Sequence, residues 1–187
     1  MPHTFYRVFI YGDEQQGTQT LLPHTNLPRP HMALQDVYSA AELAEFLAQK
    51  YPEGISHHGE QYLFNVTRYR NVEQESYTRH MPMLELVFEL VRQGQFPHAP
   101  SRFTSFFGWE TLAEAEEFNR RYRDGQGVIC RVTCEDYLRV DMNLLLLAAS
   151  LPGAMLLAER YWRGEASNMP AWEILMRGPI HVVEVVH

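Results

Sequence analysis

Lysine is almost absent from this chain, because Lys50 is the only lysine among its 16 basic residues. A Schiff-base lysine or the lysine of a phosphate-binding loop would therefore have to be Lys50, which precedes Tyr51 and Pro52 at the polar end of a predicted helix. That setting suits neither role. Arginine carries the remaining positive charge, and its planar fork of donors favours binding of phosphate or carboxylate groups.

Cysteine and long apolar runs are also scarce. Cys130 and Cys134 lie on one face of a predicted strand, about 13 Å apart, which is too far for a disulfide, so we expect reduced core thiols. The longest apolar run, residues 144–158, is broken by proline and glycine and is too short to span a bilayer. The first residues carry no secretory signal, so we expect a cytoplasmic protein that does not bind membranes.

Positive charge does not predominate. The formal net charge of −7 argues against broad attraction to nucleic acid or to anionic membranes. A length of 187 residues and a hydrophobic fraction of 45% are typical of one globular domain with its own core. We therefore expect a single domain spanning residues 1–187.

The common catalytic and metal-binding motifs are missing as well. The chain has no Gly-x-Ser-x-Gly elbow, no phosphate-binding loop, no His-Glu-x-x-His helix and no Cys-x-x-Cys pair. His57 and His58 precede Glu60, but neighbouring histidines on a strand point in opposite directions and no second cluster follows. We expect an exposed loop there and no metal site.

Hydrophobic periodicity predicts about six or seven strands and four helices that do not alternate strictly, which favours an α+β fold. Capping boxes at Ser39 and Thr111 predict two helix starts. Strands are predicted at 3–10, 61–70, 101–107, 128–134 and 137–140, and a C-terminal hairpin at 171–186. The other helices are predicted at 84–94 and 144–164, the latter beginning as a short apolar helix at 144–149 that restarts at 152.

Polar side chains interrupt three of these predicted strands. They are Arg7, a group comprising Arg102, Thr104 and Ser105, and Glu173. An ionised carboxylate among apolar residues is costly unless it is paired or faces a cleft. Glu173 is therefore a candidate for chemistry, although a solvated position on an edge strand explains it as simply.

The order of these residues resembles the Arg–Ser–Glu signature of ADP-ribosyltransferases. Tyr6-Arg7 lies on the first strand, Phe103-Thr104-Ser105 on a middle strand and Glu173 on a late strand. The segments 96–107 and 161–175 are similar to an uncharacterised bacterial branch of that superfamily. The resemblance implies two small, mostly antiparallel sheets that form a cleft with flanking helices. It also implies NAD as the substrate.

In such an enzyme Glu173 would stabilise the positive charge that develops on the ribose when the nicotinamide bond breaks. The resemblance implies that Ser105 positions Glu173 or the ribose. It assigns the remaining candidates to NAD binding. Arg7 or Arg102 would hold the diphosphate or ribose, and Thr104 or Ser101 would support Ser105. The nicotinamide would stack on Tyr6, Tyr161 or Trp162.

Simpler interpretations remain open for several of these residues. The Ser105 hydroxyl suits a bond to the backbone, and Arg102 suits a structural ion pair with Glu110 or Glu114. Tyr161 lies on the apolar stripe of its helix, where packing explains it. A non-catalytic module that binds a nucleotide or a protein on the same fold, or a simple NAD glycohydrolase, is the alternative function.

One departure from the family pattern concerns the acceptor. Arginine-modifying members carry a second acidic residue two positions before the catalytic glutamate, and here that residue is Ala171. An arginine acceptor is therefore disfavoured relative to another residue, a nucleic acid, a small molecule or water. The resemblance also implies a toxin or effector role, with an antitoxin or immunity protein as partner and delivery to a target cell without a classical signal peptide.

Overall fold

The structure is a computed structural model that describes residues 2–9, 16–23, 38–64, 75–147 and 150–186, with the backbone alone for 75–80. The described residues form seven strands: β1 (His3–Phe9), β2 (Thr18–Gln19), β3 (Ser105–Gly108), β4 (Val128–Cys134), β5 (Tyr137–Asp141), β6 (Trp172–Arg177) and β7 (Ile180–Val185). They also form five helices: α1 (Ala40–Lys50), α2 (His57–Leu63), α3 (Glu75–Gln95), α4 (Leu112–Arg123) and α5 (Leu151–Trp162).

The strands form two small antiparallel sheets. One has the order β1-β4-β7-β2 and the other the order β3-β6-β5. A backbone bridge between Tyr6 and Trp109 links β1 to the end of β3. The expected α+β class with two small antiparallel sheets is confirmed.

Apolar side chains join these sheets and helices into layers. Phe5 and Val132 of the four-stranded sheet pack with Phe106, Ile174 and Met176 of the three-stranded sheet. Since side chains alternate along a strand, the other face of the three-stranded sheet carries Phe107, Leu175 and Val140. That face packs against α3 and α5. The three-stranded sheet is therefore covered on both sides.

The remaining helices complete the arrangement. α4 packs on the outer face of the four-stranded sheet through Ala115 and Ile129. α1 and α2 enclose Phe103, which lies in a short 3₁₀ turn, Arg102–Thr104, immediately before β3. Within the described part of the chain, no helix is both long enough and apolar enough to cross a membrane.

Several predicted elements are confirmed. Both capping boxes form, with Ser39 and Thr111 each accepting a bond from the backbone three residues later. Cys130 and Cys134 are buried and carry no disulfide. The helix predicted at 84–94 is the C-terminal half of the longer α3.

The predicted C-terminal hairpin is wrong. β6 pairs with β3 and β5, whereas β7 pairs with β4 and β2, so the chain passes from one sheet to the other at the cis Gly178–Pro179 bond. The chain does turn at residues 177–179, but the residues of a turn do not determine which distant strands pair with those on either side of it.

Three other predicted elements also differ from the structure. The strand at 101–107 begins with the 3₁₀ turn because the Ser101 hydroxyl caps it at the Phe103 N–H. His57 and His58 open α2, where Ser56 is the N-cap, instead of lying in an exposed loop. Of the helix expected at 144–149, only Leu144 belongs to a helical turn, the 3₁₀ turn Met142–Leu144, while residues 145–147 form no helix and residues 148–149 lie outside the described residues. Most of the strand predicted at 61–70 lies outside the described residues, while residues 61–63 belong to α2.

Candidate functional site

Glu173 lies in β6, the central strand of its sheet, and its residue surface is only 4% exposed. It points to the same face as Leu175, towards α3 and α5, because alternate residues of a strand share a face. The solvated edge position that the sequence also allowed is therefore wrong. A carboxylate this deeply buried requires charged or hydrogen-bonding partners.

Arg102 and Tyr161 supply those partners. Arg102 Nη1 lies 2.6 Å from Glu173 Oε1, and the Tyr161 hydroxyl donates to the same oxygen at 2.8 Å. Arg102 Nη1 also contacts the Tyr161 hydroxyl directly. Within the described residues no group donates to Oε2 of Glu173. Two donors thus fix one oxygen of the carboxylate, and the other is not used by the cluster.

The guanidinium of Arg102 also binds a second buried acid. Its Nε donates to Glu85 Oε2 at 2.9 Å, and the rings of Phe107 and Tyr161 lie 4.9 Å and 5.6 Å from its central carbon. The sequence had offered Glu110 or Glu114 as ion-pair partners for Arg102. That interpretation is wrong, because Glu110 pairs with Arg139 and the Glu114 carboxylate accepts the backbone N–H of the N-cap residue Thr111.

Glu85 connects this pair to the surface through His58. Glu85 is 1% exposed, and His58 Nε2 lies 3.0 Å from its Oε1. The imidazole packs between the rings of Tyr62 and Phe107, with centroid distances of 4.5 Å and 4.6 Å. Since the His58 side chain is 19% exposed, it forms the solvent-facing end of a chain of polar contacts that ends at Glu173.

The charges of this cluster support one another. Burial alone would raise the pKa of Glu85, but the charges of Arg102 and then His58 outweigh it and lower the pKa to about 2. Burial opposes the charge on Arg102 as well, yet Glu85, Tyr161 and Glu173 hold its pKa well above its usual range. Burial raises the pKa of Tyr161, so its hydroxyl keeps its proton and remains a donor to Glu173.

A second buried acid, Glu89, fixes the segment that carries Arg102. Glu89 lies one turn after Glu85 on α3 and accepts a 2.8 Å bond from the Ser101 hydroxyl and two bonds from Arg92. Ser105 in turn donates to the Ser101 carbonyl at 2.7 Å. The Ser105 hydroxyl is therefore satisfied by backbone, and it lies opposite Arg177 in the sheet, four residues from Glu173.

The hydroxyls of Thr104 and Ser101 are likewise bonded to groups other than Glu173. The Thr104 hydroxyl donates to the Ser101 carbonyl, and Ser101 is occupied by Glu89 and by the Phe103 N–H. These hydroxyls hold the turn in place. They reach Glu173 only through Arg102, whose direction the turn sets.

Arg7 lies on the other face of the three-stranded sheet. Its Nη1 donates to the Phe107 carbonyl at 2.8 Å, and its guanidinium lies 5.4 Å from the Phe106 ring. Phe106 belongs to the core between the two sheets, whereas Glu173 faces the helices. Tyr6 packs with Trp109 beneath α4. The structure therefore brings Arg102, Tyr161 and Glu173 together, but not Arg7 or Tyr6.

The rings of Tyr161 and Trp162 are packed inside the protein. Tyr161 is completely buried, with the Phe88 and Trp162 rings 5.3 Å and 4.9 Å away. The indole N–H of Trp162 donates to the Phe88 carbonyl at 2.8 Å. The packing expected for Tyr161 is confirmed, and its hydroxyl is also a site group.

Asp141 fixes the start of β6. It is fully buried and accepts backbone N–H bonds from Asn143, Ser167 and Ala171, all between 2.7 and 2.9 Å. These bonds hold its pKa below its usual value in spite of burial. The loop before β6 is therefore tied to the end of β5, which fixes the backbone two residues before Glu173.

Sequence reasoning missed Glu85 and His58. Glu85 falls outside the apolar stripe of its helix, and its partners are 17 and 27 residues away in the sequence. The one available signal was the spacing of Glu85 and Glu89, which places two acids on one helix face beside the apolar stripe of Leu84 and Phe88. The described residues contain no group of three or more histidine, cysteine, aspartate or glutamate side chains that could hold a metal.

An apolar groove lies on the outer side of α3, away from Glu173. It runs between α3 and α5 and is lined by residues that include Val87, Leu90, Leu151 and Met155. Polar groups contribute little to it, so it offers none of the chemistry found around Glu173.

Comparison with known proteins identifies the family of this chain but gives no activity for it. No curated protein sequence matches the chain. The model of one family matches residues 4–187, which is nearly the whole chain. The protein therefore belongs to the family described as protein of unknown function DUF2441.

Proposed function

We propose that this protein is an NAD-dependent ADP-ribosyltransferase with an ADP-ribosyltransferase-like fold, and that Glu173 is its catalytic carboxylate. The order of motifs along the chain supports this function. The geometry of Glu173 supports it further, since Arg102 and Tyr161 fix Oε1 while Oε2 accepts no bond from the described residues. That arrangement of one carboxylate is the observation on which we base the function.

A carboxylate held in this way suits glycosidic cleavage of NAD. The bond between ribose C1′ and the nicotinamide nitrogen breaks, and its electron pair leaves with neutral nicotinamide. Positive charge then develops on the ribose, and a preorganised carboxylate stabilises it without having to reorient. The acceptor forms the new bond to C1′ and releases its proton to the surrounding water.

Arg102 and Tyr161 keep Glu173 ready for this role. Arg102 places a positive charge beside the buried carboxylate, and Tyr161 fixes its orientation through a hydrogen bond of 2.8 Å. We assign the arginine next to the catalytic carboxylate to Arg102, because Arg7 lies on the opposite face of the sheet.

One observation favours a second candidate, a non-catalytic module that binds a nucleotide or a protein. The three residues of the sequence signature do not line one cleft, since Arg7 and Glu173 face opposite sides of the sheet. In this alternative the Arg102–Glu173 pair is purely structural. A simple NAD glycohydrolase is the corresponding enzyme without an acceptor.

The acceptor is not arginine in this proposal. The position two residues before Glu173 is Ala171, whose N–H is used by Asp141 and whose side chain offers no charge to an arginine. Another amino acid, a nucleic acid, a small molecule or water would take the ADP-ribose.

Incubation with NAD labelled in its adenosine half separates these functions. Nicotinamide is followed in solution while the label is followed onto added protein, nucleic acid and small-molecule fractions. Nicotinamide release with label transfer supports the transferase, and release with free ADP-ribose indicates the glycohydrolase. Binding of NAD in a calorimeter without release indicates the module. Absence of both binding and release would refute the NAD assignment.

A further inference from the structure

The guanidinium of Arg102 binds two acids through two different nitrogens. Nε binds Glu85 at 2.9 Å, while Nη1 binds Glu173 at 2.6 Å. A guanidinium is planar and rigid, so the direction of its Nε–H bond also fixes the directions of its terminal nitrogens. The acid that binds Nε therefore determines where Nη1 points.

Glu85 is itself held firmly. It is 1% exposed on the long helix α3, and its two oxygens receive bonds from Arg102 and from His58. A buried carboxylate with a pKa lowered to about 2, against the opposing effect of burial, stays ionised throughout the neutral range. Its contact with Arg102 therefore persists as a charged bond.

Helix α2 holds His58 against this pair. The Ser56 N–H and hydroxyl both donate to the Phe103 carbonyl, at 2.8 Å and 3.1 Å. Gly59 approaches so closely that an added Cβ would lie 2.2 Å from the same carbonyl oxygen. The start of α2 is thus attached to the 3₁₀ turn that carries Arg102, which keeps His58 within reach of Glu85.

We propose that Glu85 is a positioning residue that directs the Nη1 of Arg102 at Glu173, with His58 as its support on the solvent side. This role rests on the proposed function of Glu173. Glu85 binds Nε and Glu173 binds Nη1, so Glu85 acts on catalysis only through Arg102. Loss of its charge would leave Arg102 in place but less restrained in direction.

The first test does not depend on enzymatic activity. The Nε–H of Arg102 gives a separate NMR signal in protein labelled with nitrogen-15 arginine, and its exchange with water reports its bond to Glu85. Glu85→Gln replaces a charge-assisted bond with a neutral one, so we expect exchange to become faster by about tenfold. Glu117→Gln is the control, because Glu117 pairs with Arg120 on the exposed surface of α4, and it should leave that exchange rate unchanged.

His58→Gln is a milder second variant should Glu85→Gln fail to fold. His58 lies at the rim of the cluster, so this change should speed the exchange in the same direction by a smaller factor. An unchanged Arg102 signal in the folded variants would overturn the positioning role. An equal change in Glu117→Gln would overturn it as well.

The second test uses NAD turnover. Glu85→Gln should lower kcat for nicotinamide release by about tenfold or more, with KM within about threefold of wild type, because the geometry at the reacting bond changes more than NAD binding does. Glu117→Gln should retain wild-type kcat. If wild type releases no nicotinamide, the proposed function fails while the exchange measurement still decides the role of Glu85. If wild type is active and kcat is unchanged in Glu85→Gln, the positioning role fails alone.

Discussion

Replacing Arg102 by methionine should destabilise the protein strongly and in a way that depends on pH. Methionine retains an unbranched apolar chain like the stem of arginine but lacks the guanidinium that Glu85 and Glu173 both contact. Breaking a buried ion pair by removing one partner costs about 3–5 kcal/mol, since the remaining charge stays buried without compensation.

The pKa of Glu85 gives a second measure of the same effect. Its lowering from 4.5 to about 2 corresponds to about 3 kcal/mol of stability at neutral pH. This stabilisation is present above the unfolded pKa and is lost as the pH falls through the folded value near 2. The two approaches agree that Arg102 contributes a few kcal/mol.

In the variant the sign of the pH dependence reverses. Without Arg102, burial becomes the dominant influence and raises the pKa of Glu85 above its unfolded value. A group with a raised folded pKa contributes stability at low pH, and that stability is lost as the pH rises through the folded value. The deficit of Arg102→Met relative to wild type should therefore be smaller at pH 5 than at pH 8.

Urea unfolding followed by circular dichroism at pH 5 and pH 8 measures this difference. Arg160→Met is the control, because Arg160 pairs with Glu165 where both side chains are 41% exposed. Such a pair contributes no more than about 1 kcal/mol. A loss of stability in Arg102→Met no larger than in the control, or equal at both pH values, would refute the charge arrangement around Arg102.

Three further substitutions test other parts of the site. Tyr161→Phe keeps the packed ring but removes a bond to a charged acceptor, so unfolding studies should show a loss of about 1.5–3 kcal/mol, and no loss would contradict that bond. Asp141→Asn should lower the free energy of unfolding at pH 7. Because the pKa of Asp141 is lowered in the folded state, the difference from wild type should shrink as the pH falls below about 4. A difference that stays constant with pH would argue against this. Gly59→Ala should cost about 1–3 kcal/mol, because its Cβ would overlap the Phe103 carbonyl. The control Gly94→Ala meets no atom within 4 Å in α3 and should be neutral or stabilising, so equal thermal shifts in the two variants would refute the close approach.

Local interactions made part of the fold predictable from the sequence. Helices α1 and α4 begin at Ser39 and Thr111 because a capping box involves only residues three positions apart. Strand pairing depends instead on distant segments, which is why the C-terminal hairpin was wrong. The four consecutive buried residues from Glu173 to Met176 are typical of a strand covered on both faces. That pattern favours a central strand over one arm of an exposed hairpin.

The candidate site was predictable where a single residue conflicted with its surroundings. Glu173 and Arg102 are charged residues in segments that the sequence predicts as strands, and each needs a partner that the sequence could not name. Glu85 and His58 gave no such signal, because a glutamate on a helix and a histidine near a glycine both suit a solvated surface. Their burial results from the docking of α2 and α3 around the turn that carries Arg102.

Nicotinamide release from NAD by wild type and by Glu173→Gln tests the proposed function most directly. Glutamine has the shape of glutamate and can still accept the bond from Tyr161, so a folded variant isolates the carboxylate charge. We expect wild type to release nicotinamide and Glu173→Gln to lose at least about 100-fold in kcat, since one lost electrostatic contact to a transition state costs about that much. Equal release by the two folded proteins, or none by wild type, would contradict the assignment of Glu173 as the catalytic carboxylate.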